Sequence, residues 1–334
     1  MKHILNILRQ SNNLTRTQCK KLFFNIINKK FSSKEISEIL INIKNKGETI
    51  EEILGAADAL LIHAKYFPKL RGLFADITGT GGDGKNTINI STASALIAST
   101  CGVKIVKHGN YNASSSIGGS MNLLQQYNVC INMNTHQILK NFNELGICFL
   151  CASQYYPILR DVTYIRKQLK TPTLFNIIGP LINPSKPPLT LIGVYKKELL
   201  SPITQTLKLL NYKRAIVVHC DGIDEVGLHN QTNVFELRNG TIQHYTLTPS
   251  DFGLKKYPLE ELWSSSQHQS YSSIINVLKG QGKPSHTAVI TANVALLLTL
   301  FGHNNLRSNT STILNKIYTG LPYKKLLALS SSLV

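Results

Sequence analysis

Three short stretches of this chain carry residues whose types and spacing suggest chemistry. "GTGGDGKNTINIST", Gly79 to Thr92, places four glycines within six residues, between apolar Phe74 to Ile77 and a helical pattern. "KIVKHGN" brings Lys107, His108 and Asn110 to the end of a strand-like run, and "VVHCDGIDE" does the same for Asp221, Asp224 and Glu225. Glycines let backbone N–H groups approach an anion closely, and a helix N-terminus adds a favourable dipole. The first stretch is therefore a candidate phosphate cradle. It is not a Walker loop, because no Gly-Lys-Ser/Thr follows, and Gly79, Gly81, Gly82 and Gly84 are out of register for a dinucleotide fingerprint. Taken alone, a structural turn explains it as well. The three stretches together say more: Lys107 and the glycines can hold phosphate oxygens. Asp224 and Glu225 supply hard carboxylate oxygens for magnesium, which commonly bridges protein carboxylates and substrate phosphates.

For these stretches to meet, strands must end side by side. After Arg71, β-rich segments at 104–108, 191–195 and 214–219 alternate with helical ones such as "STASALIAST" and "SPITQTLKLLN", which predicts an α/β fold with a mostly parallel sheet flanked by helices. Ligands of such sheets sit outside the carboxyl ends of the strands. Ser91 or Thr92 is the expected cap of the helix carrying Ala93, Ala95, Leu96 and Ile97. Residues 1–66 read as helices only. Ser32 with Glu35 and Thr49 with Glu52 form capping boxes, and Gly47 is placed to end one helix before the next. The stretch 165–188, with five prolines, reads as helix, turn and extended crossing that returns to the helical part. The expected division is a small helical domain, 1–66 with the returning segment 165–188, and a larger α/β domain, 71–164 and 189–334. No internal repeat or low-complexity tract is visible.

The chain has 334 residues, 43% apolar and 16% charged, the composition of an ordinary soluble globular protein. Its net charge of +18 favours anionic partners, whether phosphorylated small molecules, nucleic acid or an anionic membrane surface. Abundant Lys, Asn and Ile explain the same charge as mutational bias, and the lysines are spread without a basic tail. Cys148 and Cys151 form a C-x-x-C inside the strand-like "GICFLCAS", with no second Cys or His pair nearby, so buried thiols are expected. The N-terminus lacks a signal-peptide core, and the longest apolar run is broken by Thr291 and Asn293, which points to a cytoplasmic protein.

"GTGGDGKNTINIST", "KHGN", "RKQLKTPTLFNIIGPLINP" and "DGIDEVGLH", in this order and spacing, resemble anthranilate phosphoribosyltransferase, and "KGETIEEILGAA" resembles that family's helical domain. The match runs from about Leu14 to the last helix. The resemblance implies transfer of a phosphoribosyl group from phosphoribosyl pyrophosphate to the amine of anthranilate, with Mg2+ as cofactor. It also implies a homodimer through the helical domain and neither membrane nor nucleic acid as partner, and it leaves an association with anthranilate synthase open. By position, Gly79, Gly82, Asp83, Thr87, Asn89, Ser91 and Thr92 would line the pyrophosphate and ribose site, and Lys107, Asn110, Ser114 and Ser115 would close over the phosphoribosyl group. Ser91, Asp224 and Glu225 match the metal ligands. Arg166 matches the arginine that meets the anthranilate carboxylate, with Gly79, His108 and Asn110 beside it. Catalysis is assigned to Asp83, Lys107, Asp224 and Glu225.

The chain departs from that pattern near the substrate loop. Tyr111 stands where the family has Arg after "KHGN". Asn122 replaces an Asp in a segment that reads one residue longer, and Ser153 and Tyr156 stand in the usual Ala-Pro and His-Pro positions. A related pyrimidine nucleoside phosphorylase is disfavoured by "FNIIGPLINP" with Arg166. A non-catalytic homologue binding nucleic acid through a basic groove draws on the charge and Tyr111, and is opposed by Lys107, Arg166, Asp224 and Glu225.

Overall fold

The protein is described by a computed structural model over residues 2–111 and 118–331. Four helices come first: α1 Lys2–Arg9, α2 Arg16–Ile27, α3 Ser33–Lys46 and α4 Ile50–His63. Both expected capping boxes form, a third joins Thr15 to Gln18, and Gly47 ends α3 at φ +84°, a conformation costly for any side chain. Glu52 is fully buried, yet its carboxylate accepts from the Leu14 N–H at 2.9 Å, the Thr49 N–H at 3.0 Å and the Lys46 ammonium at 2.5 Å, so its charge is compensated.

The sheet has seven strands: β1 Ala75–Gly79, β2 Ile105–Gly109, β3 Ile147–Cys151, β4 Leu189–Gly193, β5 Arg214–Cys220, β6 Thr232–Arg238 and β7 Thr241–Leu247. Their order is β3-β2-β1-β4-β5-β6-β7, with the first five strands in sequence parallel and the last two antiparallel. The chain runs outward from β1 to β2 and β3, then returns to β4 on the other side. A crevice therefore opens at the carboxyl ends of β1 and β4, where the direction of winding reverses.

The remaining helices are α5 Ile90–Thr100, α6 Ser120–Gln126, α7 Thr135–Glu144, α8 Ala152–Tyr155, α9 Arg160–Leu169, α10 Leu174–Ile178, α11 Leu200–Leu209, α12 Gln267–Leu278, α13 Pro284–Thr299, α14 Leu306–Tyr318 and α15 Leu321–Ser331. Alternate residues of the strands face opposite layers. Ile77, Leu191, Ile216 and Val218 pack with α5, α6 and α12 to α15. Val106, Leu150, Ile192 and Val217 pack with α7 to α11 and with α1 to α4, so the core of the N-terminal helices is continuous with one face of the sheet.

Three local readings need correction. The cap of α5 is Asn89, without a side-chain cap bond, and Ser91 and Thr92 are already helical. The stretch 165–188 does not end in an extended crossing: after α9 it coils into α10 and a single 3-10 turn, Gly179–Leu181. The β6–β7 hairpin escaped the pattern of alternation, although its Asn239-Gly240 turn, both residues at positive φ, carries a strong hairpin signal. Cys148 and Cys151 are buried and free, as their setting in β3 suggests. No helix among the described residues is long and apolar enough to cross a membrane.

Candidate active site

A cleft of about 700 Å³ lies at the carboxyl ends of the strands, walled on one side by the glycine loop and α5 and on the other by α8 to α10. Among the described residues, Gly79, Gly82, Asp83, Thr87, Asn89, Ser91, Thr92, Lys107, His108, Asn110, Arg166, Asp224 and Glu225 all line it. Ser114 and Ser115 lie outside the described residues.

One end is acidic at its floor. Gly79 and Gly193 are register partners on β1 and β4, and the chain after β5 folds directly over them. A methyl group at Gly193 would overlap the main chain of Asp224, and one at Gly79 would overlap its carboxylate. Small residues here let Asp224 reach the glycine loop, where its Oδ2 accepts from the Gly81 N–H at 2.6 Å. Burial pushes the Asp224 carboxyl up to about 7, and the neighbouring Asp83 charge adds to this. Glu225 is raised well above the carboxylate range by burial, then by Asp224. Asp83 is raised by burial too. The buried cation beside them is Lys107, whose Nζ donates to the Ile77 carbonyl at 2.5 Å and to Ser91 Oγ at 3.2 Å. Its pKa is lowered by burial against the opposing pull of Asp76, Glu225 and Asp224.

Hard oxygens crowded beyond what one ammonium neutralises suit a divalent cation. No group of three or more His, Cys, Asp or Glu side chains forms a ready-made metal cluster among the described residues. The set therefore fits magnesium, which is held by one or two carboxylates and completed by water and substrate phosphate, better than a metal that needs a full protein cage.

The wall formed by α8 to α10 carries a different set of residues. Arg166, half-buried on α9, lies over the Phe175 ring at 5.6 Å and donates from Nη2 to Asn176 Oδ1 at 3.1 Å. Burial pushes it down to about 10, and no carboxylate among the described residues offsets this. His108 is buried, bonded to the Gly179 backbone, and held neutral with its pKa lowered to about 4, chiefly by burial. Its Nε2 has no partner among the described residues. The Tyr156 ring stands edge-on to it at 6.0 Å, with the phenol hydroxyl turned away to the Ile182 carbonyl at 2.5 Å.

Some of these cleft residues also serve the scaffold. The Asn89 amide donates to the Gly118 carbonyl at 3.1 Å and accepts from Ser270 Oγ at 2.9 Å, tying the start of α5 to α12. Thr87 bridges Trp263, and Asn110 Oδ1 accepts from the Tyr111 N–H at 2.9 Å. Sequence reasoning missed Asn176, whose Oδ1 also accepts from the Thr173 N–H at 3.1 Å and whose Nδ2 donates to the Thr80 carbonyl at 3.4 Å, linking Arg166 to the glycine loop. It missed Asp76 and Asn183 as well. Both asparagines lie in the quoted "FNIIGPLINP", where their type was the available signal.

Comparison with known proteins gives a consistent picture. Residues 71–323 match the model of the glycosyl transferase family a/b domain, and residues 2–64 that of its helical bundle domain. The anthranilate phosphoribosyltransferase of Blochmanniella pennsylvanica is 59% identical over 333 residues, 99% of this chain and 97% of that protein. That of Yersinia pestis is 46% identical over 331 residues, 99% of each. Among solved structures, anthranilate phosphoribosyltransferase from Thermus thermophilus superposes with a TM-score of 0.89 at 29% identity, covering 99% of both chains. The Saccharomyces cerevisiae enzyme in complex with PRPP and Mg superposes at 0.88 with 26% identity, covering 99% of this chain and 98% of that one.

Proposed function

This chain belongs to the anthranilate phosphoribosyltransferases, and from that premise we propose how its own residues divide the reaction. The enzyme transfers the phosphoribosyl group of 5-phosphoribosyl 1-pyrophosphate to the amine of anthranilate, giving N-(5-phosphoribosyl)anthranilate and pyrophosphate, a step of tryptophan biosynthesis. What carries the division of roles is the polarity of the cleft. One cleft joins an acidic floor under a glycine loop to an arginine that pairs with no carboxylate among the described residues and to a neutral imidazole.

In this reading the glycine loop, from Gly79 through Gly82 and Asp83 to Thr87 and Asn89, receives the diphosphate and ribose, with Ser91 and Thr92 at the start of α5. Ser114 and Ser115 are assigned by position to the loop closing over the phosphoribosyl group. Asp224, Glu225 and Ser91 would hold magnesium, which when bound neutralises the charge of the diphosphate. The Lys107 ammonium meets the phosphoribosyl oxygens. Arg166 pairs the planar anthranilate carboxylate through two N–H groups, and Gly79 and Asn110 border the ring. His108 Nε2, neutral and free to accept, takes a hydrogen bond from the amine and aims the nitrogen lone pair at the anomeric carbon. As the carbon–oxygen bond to pyrophosphate breaks and the carbon–nitrogen bond forms from the opposite face, the amine proton passes to Nε2. No covalent nucleophile is needed, and positioning with leaving-group stabilisation supplies the rate.

We read residues 1–66 and the segment 165–188 as one helical unit, because α9 packs on α3 and α10 on α3 and α4. Phe24, Ile62 and Tyr66 are exposed on it and support a homodimer through this unit. Purified protein with anthranilate, phosphoribosyl pyrophosphate and magnesium should consume anthranilate, seen as loss of its fluorescence. Unchanged fluorescence with all three present would overturn the assignment.

A further inference from the structure

Strands β1 and β2 part early. Their register pairs Ala75 with Ile105 and goes no further, whereas β1 pairs with β4, and β2 with β3, along all five residues. In a parallel ladder continued from that pair, Ile77 would face Lys107: its N–H would donate to the Val106 carbonyl, and its carbonyl would accept from the His108 N–H. Side chains serve three of these groups instead. The His108 N–H turns to Asp76 Oδ1 at 3.3 Å. The Val106 carbonyl accepts from Asn183 Nδ2 at 2.9 Å, and the Ile77 carbonyl accepts from Lys107 Nζ. Asn183 also donates to Asp76 Oδ2 at 2.8 Å. Its own Oδ1 is fixed by the Ser185 N–H at 3.0 Å and Ser185 Oγ at 2.7 Å. Asp76, Asn183 and Ser185 are all buried.

The missing rung answers a geometric difficulty. Successive residues of a strand point to opposite faces, yet Lys107 and His108 both line the cleft. Ile105, on the face of Lys107, belongs to the core with α5, and Val106, on the face of His108, belongs to the core with α9 and α10. Only if β2 swings away from β1 at this point can the lysine ammonium reach in to the β1 main chain while the imidazole enters from the other layer.

We propose that Asp76 and Asn183 are positioning residues: they replace one rung of the sheet with side chains, hold β1 and β2 apart, and thereby aim Lys107 and His108 at the two substrates. The proposal rests on the roles given to Lys107 and His108 above. It also gives a task to the asparagine of the "INP" segment, which lies outside the cleft lining.

The test is a double-mutant cycle on the affinity for phosphoribosyl pyrophosphate, read by titration calorimetry with magnesium and without anthranilate. Asn183→Ala should weaken binding at least fivefold, and should add less than a further twofold in a Lys107→Met background, because the side chain it aims is gone. Asn183→Ala should also raise the KM for anthranilate through His108. A role limited to stability would lower the melting temperature and leave the affinity of the folded protein unchanged, or weaken binding equally in both backgrounds; either result overturns the proposal. Ser185→Ala keeps Asn183 in place but removes one of its two anchors. It should give about a threefold loss in the same direction, and it carries the same cycle if Asn183→Ala does not fold. Wild-type affinity in Lys107→Met would instead refute the role assigned to Lys107, an outcome distinct from an unaffected Asn183→Ala beside a crippled Lys107→Met.

Discussion

The Arg166 guanidinium and the Asn176 side-chain oxygen are hydrogen-bonded at 3.1 Å, and the same asparagine reaches the Thr80 carbonyl on the glycine loop at 3.4 Å. One side chain thus fixes the acceptor arginine relative to the loop assigned to the donor. Asn176→Ala is expected to raise the KM for anthranilate about tenfold, the effect of losing about 1.4 kcal/mol from a charged hydrogen bond. Arg166→Lys, which cannot reproduce two parallel N–H bonds, should likewise raise that KM far more than the one for phosphoribosyl pyrophosphate. Steady-state kinetics in both substrates checks this, and equal effects would place Arg166 elsewhere.

Replacing Asp224 and Glu225 together by Ala should abolish turnover, and full activity of that variant in saturating chelator would refute metal-assisted departure of the diphosphate. The single change Asp224→Asn should separate function from stability. It keeps an acceptor for the Gly81 N–H and removes a buried charge that burial and Asp83 both disfavour. Without added magnesium the Asp224→Asn variant should therefore show a higher melting temperature together with lost activity. A lower melting temperature in scanning calorimetry would contradict that reading of the acidic floor.

His108 makes stability depend on pH with a definite sign. Its folded pKa of about 4 lies below its ordinary 6.5, so between these values the unfolded chain binds the additional proton. Stability from this group is present above pH 6.5 and is lost as pH falls toward 4, by up to about 3 kcal/mol. Asp76, raised to about 6 by burial, works in the opposite direction over part of the same window, so wild type must be compared with His108→Gln. Denaturant unfolding from pH 4 to 7 should show a shallower acid loss in the variant; parallel curves would mean that the imidazole is not held neutral.

Tyr111 stands where the family pattern has arginine, and it is partly buried against the core that contains α5 and α6. A side chain absorbed into packing suggests a loop rebuilt around tyrosine. Tyr111→Arg is accordingly expected to change the KM for phosphoribosyl pyrophosphate less than threefold, about 0.6 kcal/mol. A gain of tenfold or more in steady-state kinetics would show a degraded substrate site.

Much of this molecule is determined locally and was legible in the sequence. Capping boxes at Ser32 and Thr49 set helix starts because the bonds they make span three residues. Short apolar runs in β2, β4 and β5 marked buried strands, and the composition of the glycine loop marked it as a candidate anion site. The hairpin β6–β7 was equally local and was missed because half-exposed β7 lacks an apolar run. What the sequence alone could not decide depends on strands brought together from far apart. Gly193 matters only because Asp224 crosses it, and three carboxyls acquire raised pKa values only because folding buries them beside one another. Asp76 and Asn183, 107 residues apart, become partners only where β1 and β2 diverge. Local pattern names the residues that a site requires; desolvation and close approach, which exist only in the folded chain, decide their charge and aim.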